Sequence, residues 1–283
     1  MIVCSSNAWG GCLPNYVPYI RNLAKRADVL CLQEVHKAHS SSVPECFMPT
    51  DPGGRTMPLN LHLFNQIKYA LSEQFECYFA CQLRGYLHDI ETTEYDVSYG
   101  NAMLVRKGIG SVIYCETLPY KRGKPVNDGA TAAHKSAQAT VIEEGSRRVL
   151  ISHTHGAWWT SNKGDVTPRR EQFANWSKWL NDLRIRHDCT DALLCGDFNQ
   201  TSNTDLIRLM PYWDVFGITP GRNLNAHHGV TNTRTKHYKK AIGEADYVFA
   251  SPALDPILTV DHDVPSDHAT MTCELRALSK NAI

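Results

Sequence analysis

The sequence predicts an α/β fold built from two packed β-sheets with helices on the outer faces. Two observations predict it. Strand-like and helix-like segments alternate at both ends of the chain. The halves also echo one another: strand, polar end, helix and strand lead to Glu34 in the first half, and the same succession leads to Asp197 in the second. No Pro/Gly/Ser-rich linker divides the 283 residues, so one domain over 1–283 is expected. A chain of this size can bury most of its apolar surface without covalent staples.

The elements follow in order. Ile2-Val3-Cys4-Ser5-Ser6-Asn7 reads as a strand ending in a carboxamide. Residues 17–27 place Ile20, Leu23, Ala24 and Ala27 on one helical face. Val29-Leu30-Cys31-Leu32-Gln33-Glu34 is an apolar strand ending in a carboxylate. A second helix over 60–75 aligns Leu61, Phe64, Ile67, Leu71 and Phe75, and strand-like segments follow around 76–84, 97–107, 110–118 and 136–143. The strand from Val149 ends in imidazoles at His153 and His155. Thr167-Pro168 signals an N-cap followed by proline at the first helical position. The helix it opens lines up Phe173, Trp176, Leu180 and Leu183 as core rather than as a ligand platform. Leu193-Leu194-Cys195-Gly196-Asp197-Phe198-Asn199 is an apolar strand stopped by a glycine turn. Ala245–Ala250 opens with Asp246, and Pro265-Ser266-Asp267-His268 sets an acid beside an imidazole before the strand Thr270–Leu275.

The polar ends are the functional signal. Residues i and i+2 share a side of a strand, so Asp197 and Asn199 converge on one point. Ligands of open α/β sheets collect beyond strand ends. Asn7, Glu34, His155, Asp197 with Asn199, Asp246, and Asp267 with His268 therefore point to a common site.

This ordered set resembles the endonuclease/exonuclease/phosphatase superfamily of metal-dependent phosphoesterases, related to DNase I-like nucleases. The resemblance runs from Asn7 to Leu275. It is carried by Leu32-Gln33-Glu34, Gly196-Asp197-Phe198-Asn199 and Ser266-Asp267-His268, with Asp246-Tyr247 as the acidic strand start. Gly100-Asn101-Ala102-Met103-Leu104 resembles the family's glycine-asparagine strand, and Arg170-Glu171-Gln172 the helix after the His-bearing strand. Here Thr154-His155 is followed by Gly156-Ala157-Trp158-Trp159 instead of the family's leucine, which leaves His153 as a rival to the better match, His155. The resemblance implies a four-layer α/β sandwich with its active site at one rim between the sheets.

Phosphoester hydrolysis needs a nucleophilic water, stabilisation of transition-state charge and help for the leaving oxygen. Glu34 is the expected metal ligand, with Asp267 as the second acidic contact. A hard ion such as Mg²⁺, with Mn²⁺ as a substitute, prefers one or two carboxylates plus water and phosphate oxygens. Asp197 is expected to orient or deprotonate the water, and Asn7 and Asn199 to donate to phosphate oxygens or fix Asp197. His268 is expected to contact phosphate or move a proton, with Asp246 holding its ring. His155 would stabilise charge on a non-bridging oxygen. Asn101, Trp158, Arg234 and Lys236 are the expected substrate contacts: Trp158 as a base-stacking surface, Arg234 as a bidentate phosphate clamp.

Composition bounds the rest. Twenty-nine basic and 29 acidic residues cancel, which argues against broad charge-driven coating of nucleic acid. Local basic runs remain at Lys121-Arg122-Gly123-Lys124 and at Arg234, Lys236, Lys239 and Lys240. Several of the ten cysteines lie inside apolar strands and read as small buried hydrophobes in a reducing, cytoplasmic setting. No signal peptide and no membrane-spanning run is visible. The leading expectation is a monomeric Mg²⁺-dependent phosphodiesterase acting on nucleic acid. Its alternative is a phosphatase or phospholipase-type enzyme on a small phosphoester, phosphoinositide or sphingomyelin-like substrate, and a non-catalytic binding module is a remote third.

Overall fold

The computed structural model describes residues 1–48, 56–85, 95–121, 132–144, 147–157, 164–238 and 243–275. The first half runs β1 (Ile2–Asn7), α1 (Tyr16–Leu23), β2 (Val29–Ala38), the short pair β3 (Cys46–Phe47) and β4 (Leu59–Asn60), α2 (Leu63–Leu71), β5 (Phe75–Arg84) and β6 (Val97–Arg106). The second half runs β7 (Gly110–Lys121), β8 (Ala132–Glu144), β9 (Arg147–His155), α3 (Thr167–Arg186), β10 (Asp191–Asp197), α4 (Asp205–Leu209), β11 (Arg222–Asn223), α5 (Leu224–His227), β12 (Asp246–Ala250), β13 (Ile257–Asp261) and β14 (Thr270–Glu274).

The strands form two six-stranded mixed sheets, ordered β13-β14-β1-β2-β6-β5 and β11-β12-β10-β9-β8-β7. Each has one parallel pair at its centre, β1 with β2 and β9 with β10, flanked by antiparallel partners. The internal echo is thus a structural one. Each central pair is a strand–helix–strand crossover, β1-α1-β2 and β9-α3-β10.

Three apolar layers hold four structural ones. Val3, Val29, Cys31 and Met103 of the first sheet meet Val149, Ile151, Leu193 and Val248 of the second in the central core. Ile20, Leu23, Phe64 and Ile67 of α1 and α2 cover Leu30, Leu32 and Leu104 on one outer face. Phe173, Trp176, Leu180 and Leu183 of α3 cover Leu150, Leu194, Phe198 and Phe249 on the other, as their helical spacing predicts. Period-two alternation explains how one strand feeds two cores: Leu193 and Cys195 point inward while Ala192 and Leu194 point to α3.

Several boundaries differ from expectation. The helix expected over 17–27 runs over Tyr16–Leu23, and that expected over 60–75 over Leu63–Leu71. Thr167 lies inside α3 rather than at its cap. Val166 takes that position with an extended backbone, which makes Pro168 the second helical residue. The short elements β13, α4 and α5 have too few periodic residues to be visible in sequence. The ten cysteines are all free thiols, and Cys4, Cys31, Cys195 and Cys273 are buried as expected. Among the described residues, no helix is long and apolar enough to cross a membrane.

Candidate active site

The ends of the two central parallel pairs meet at one rim. Asn7 and Glu34 come from β1 and β2, and His155 and Asp197 from β9 and β10. Asp246 pairs with Asp197 across the β10–β12 ladder, and Ser266-Asp267-His268 precedes β14.

Local backbone devices aim these groups. The β2–β6 register slips between Leu32 and Val35, and Glu34 sits in the bulge at φ 56°. A carboxylate held in the left-handed region is costly unless its surroundings impose it. Asn199 has φ 53° for the same purpose, at the turn after β10. Gly196 has φ 135°, and a Cβ there would lie 2.1 Å from the Thr154 carbonyl oxygen. Only glycine lets β10 approach β9 this closely just before Asp197.

Asp197 is the hub. Its carboxylate accepts from Asn7 Nδ2 at 2.9 Å and from the Asn199 backbone N–H at 2.8 Å. Asn7 Nδ2 also reaches Glu34 Oε1 at 3.1 Å, so one amide ties both carboxylates. The imidazoles of His155 and His268 flank the same oxygen: their Nε2 atoms lie 3.7 Å and 3.5 Å from Asp197 Oδ2. Asn199 Nδ2 contacts His155 Nε2 at 3.0 Å and donates to the Gly156 carbonyl at 3.0 Å. Asp246 holds His268 Nδ1 at 2.8 Å, and Ser266 Oγ donates to the Asn7 carbonyl at 2.7 Å, fastening the Asp267-His268 loop to β1.

Charge follows this geometry. Burial raises the Asp197 carboxyl, but His268, His155 and Arg234 outweigh it and hold the group well below the usual carboxylate range. Burial would lower His268, yet Asp246 and Asp197 push it up to about 9. Burial and the nearby Lys135 ammonium hold His155 well below its ordinary value. Burial and the Asp267 carboxylate raise Glu34. Burial also raises Asp267, against the pull of His268 and Arg234.

The donor set suits a hard cation. Glu34 and Asp267 offer carboxylates, and Asp267 Oδ1 is buried with no hydrogen-bond partner among the described residues. A cation would satisfy that oxygen and relieve the repulsion that raises Glu34. Two further groupings place ligand atoms within 4.8 Å of one another: Glu34, His155 and Asp197, and Asp197, Asp246 and His268. Of these residues Glu34 is the most open, with 26% of its side chain exposed against 1% for Asp197.

The rival imidazoles separate. His155 stands in the carboxylate cluster. His153 is fully buried between the sheets, where Gln33 Nε2 lies 2.9 Å from Nδ1 and Gln138 Oε1 lies 3.1 Å from Nε2. Arg234 is drawn inside rather than overhanging the site. It is 5% exposed, its Nη1 contacts His268 Nε2, and its guanidinium stacks over Tyr238 at 4.3 Å. Burial opposes its charge, but Asp197, Asp246 and Asp267 raise its pKa further. Lys236 lies at the surface beside Asp263 at 3.3 Å. Asn101 is buried, and its Nδ2 donates to the Ser136 carbonyl at 2.9 Å, joining β6 to β8. Trp158, Trp159, Lys239 and Lys240 lie outside the described residues.

Two groups escaped the sequence reading, as did the task of a third. Lys135 is buried, 8% exposed, with Nζ 3.5 Å from His155 Nδ1. Its sequence neighbours, His134 and Ser136, form no motif with it. Tyr99 sets its ring edge-on to His155, 6.5 Å between centroids. Gln172 of α3 donates to the His155 carbonyl at 3.0 Å and accepts from Ala157 N at 2.8 Å, so the helix after β9 pins the turn beyond His155. Its triplet Arg170-Glu171-Gln172 was visible in sequence, but its task was not.

Comparison with known proteins follows the same lines. The model of the Endonuclease/Exonuclease/phosphatase family matches residues 4–268. The human Nocturnin catalytic domain with bound sulfate is 15% identical, TM-score 0.62, over 96% of this chain and 92% of that one. An endonuclease/exonuclease/phosphatase protein from Beutenbergia cavernae is 18% identical, TM-score 0.63, over 97% and 71%. A mannosyl-6-phosphatase from Bacteroides thetaiotaomicron is 14% identical, TM-score 0.60, over 98% and 100%. At such identities these likenesses establish the fold. Among curated proteins, none matches the chain in sequence.

Proposed function

The chain belongs to the endonuclease/exonuclease/phosphatase family, and from that premise we propose that it is a Mg²⁺-dependent phosphodiesterase acting on nucleic acid. The observation that carries the chemistry is the contact set around Asp197: Asn7, His155, Asn199 and His268 each place a nitrogen within 3.7 Å of this one buried carboxylate. Such preorganised donors and acceptors are what in-line attack at phosphorus requires.

Each residue then has a task. Asp197, of low basicity, orients the attacking water through its hydrogen bond. Asn7 keeps Asp197 and Glu34 in register. His268, protonated and held by Asp246, faces a non-bridging phosphate oxygen as a cationic donor, with Arg234 beside it. His155 is held neutral and is positioned by Asn199. Glu34 and Asp267 hold the divalent ion, Mg²⁺ or in its place Mn²⁺. When bound, it supplies charge neutralisation at the phosphate and the leaving oxygen. Tyr99, half-buried beside His155, offers a ring to a base next to the scissile phosphate. Free buried thiols fit a reducing, cytoplasmic setting, and we take the chain to act as one monomeric domain.

A small phosphoester is the second reading. It is favoured by Lys236, whose charge is spent on exposed Asp263 rather than on a track for further phosphates, and by zero net charge. The deciding experiment is one screen under Mg²⁺, Mn²⁺ and EDTA against supercoiled DNA, single-stranded DNA, RNA, a phosphoinositide, sphingomyelin and a sugar phosphate. Metal-dependent cleavage of a polynucleotide is expected. Turnover of the small esters alone would promote the second reading, and no turnover of any ester would remove both.

A further inference from the structure

Arg169 lies in the first turn of α3 and is among the largest fully buried side chains of the molecule. Burying a guanidinium costs free energy that its hydrogen bonds have to offset. Burial works against its charge, and the carboxylates of Asp197 and Asp165 support it. The chain leaves the site at Ala157 and comes back to α3 at Gly164, and Arg169 takes hold of both points. Its Nε donates to the Ala157 carbonyl at 2.8 Å and its Nη1 to the Gly164 carbonyl at 2.7 Å. A planar fork holds two such oxygens in one fixed geometry, unlike the compact ammonium of lysine.

Three successive peptide groups after His155 are tied down. In the first, the His155 carbonyl accepts from Gln172 Nε2 at 3.0 Å and the Gly156 N–H donates to the Asp197 carbonyl at 2.6 Å. In the second, the Gly156 carbonyl accepts from Asn199 Nδ2 at 3.0 Å and the Ala157 N–H donates to Gln172 Oε1 at 2.8 Å. The third offers the Ala157 carbonyl to Arg169. Each peptide is planar, so a bond at one edge orients the other. The second plane bears on the chemistry, because the Asn199 amide that grips it also lies 3.0 Å from His155 Nε2. A Cβ on Gly156 would lie 2.2 Å from the Phe198 carbonyl oxygen, so this turn packs directly on the chain between Asp197 and Asn199.

We propose that Arg169 is a positioning residue for His155. Through the Ala157 carbonyl it fixes the Gly156–Ala157 turn, and that turn holds the Asn199 amide against His155 Nε2. Its effect on turnover rests on the phosphoester reading of the site, whereas its effect on the His155 ring does not.

The test compares wild type, Arg169→Lys and Arg169→Gln, with Arg170→Gln on the exposed side of the same helical turn as control. In metal-free protein the His155 ring resonances should shift in both Arg169 variants. Those of His153, held between Gln33 and Gln138, should stay in place. Under Mg²⁺, kcat should fall about 10- to 100-fold with KM little changed, as a small misplacement of a reacting group does. The control should match wild type in both readouts. An arginine that served only to stabilise the fold would lower the melting temperature of its variants and leave both readouts alone. A folded Arg169 variant with wild-type His155 resonances overturns the inference, and so does wild-type kcat where the enzyme cleaves an ester. Shifted resonances in a protein that cleaves no ester leave the inference standing and remove only the functional reading beneath it. If neither variant folds, amide exchange in wild type decides. The Gly156 and Ala157 N–H groups should exchange only through global unfolding, and exchange by local opening overturns the inference.

Discussion

His268 Nδ1 lies 2.8 Å from Asp246 Oδ2, both side chains buried, so the ring turns its Nε2 toward Asp197, 3.5 Å away. The ladder that pairs Asp197 with Asp246 places the two carboxylates on either side of this imidazole. One strand pair thus sets both the orientation of the ring and its charge.

That pairing predicts a shared role. Asp246→Asn and His268→Ala should each lower turnover about 10²–10⁴-fold, and the double variant should lose little more than either alone. Additive losses in a double-mutant cycle would reject the coupling.

The same pair predicts a pH signature in the metal-free protein. His268 is pushed from 6.5 up to about 9. Because the folded value is raised, its stabilising contribution is full below pH 6.5 and is lost as pH climbs through 9. Urea unfolding of the wild type should therefore show falling stability across that window. Asp246→Asn should flatten the decline, and the His268 ring resonance should titrate at lower pH.

Glu34 should behave as a carboxylate waiting for a cation. Glu34→Gln is expected to lower Mg²⁺-dependent turnover at least about a hundredfold. It should also raise the melting temperature of metal-free protein, because it removes a half-buried charge that Asp267 opposes. Added Mg²⁺ should raise the wild-type melting temperature more than the variant's. Equal shifts, or activity that survives EDTA, would remove Glu34 from the metal site.

Gly196→Ala tests the close approach beneath Asp197. A Cβ 2.1 Å from the Thr154 carbonyl oxygen, on a backbone at φ 135°, has no room to relax. The variant should be destabilised by about 2–4 kcal/mol, read by chemical denaturation. Gly108→Ala, whose Cβ meets nothing within 4 Å, should cost less.

Lys236 separates the substrate classes. If a polynucleotide binds, Lys236→Ala should reduce the salt slope of binding by roughly one unit per lost phosphate contact. A flat salt dependence in both proteins would move the assignment to a small phosphoester, for which only one phosphate has to be held.

By itself the sequence determined the identities and order of the groups at the strand ends: Asn7, Glu34, His155, Asp197, Asn199, Asp246 and His268. Strand alternation and the abrupt change from apolar to polar residues are local, so they survive without any knowledge of the fold. The helices α1, α2 and α3 were legible for the same reason, because their apolar faces repeat within a few residues. Tertiary structure decided what no local pattern contains. The bulge that turns Glu34 into the site comes from a register slip against β6. The choice of His155 over His153 comes from which of two inward-facing rings reaches the rim and which is locked between Gln33 and Gln138. The burial of Arg234 comes from its bridge to His268, 34 residues away in the chain. Lys135 had no signal at all, because its meaning lies in a neighbour on the adjacent strand. Contacts of this kind are made across a sheet or between sheets, where distance in sequence carries no information about distance in space.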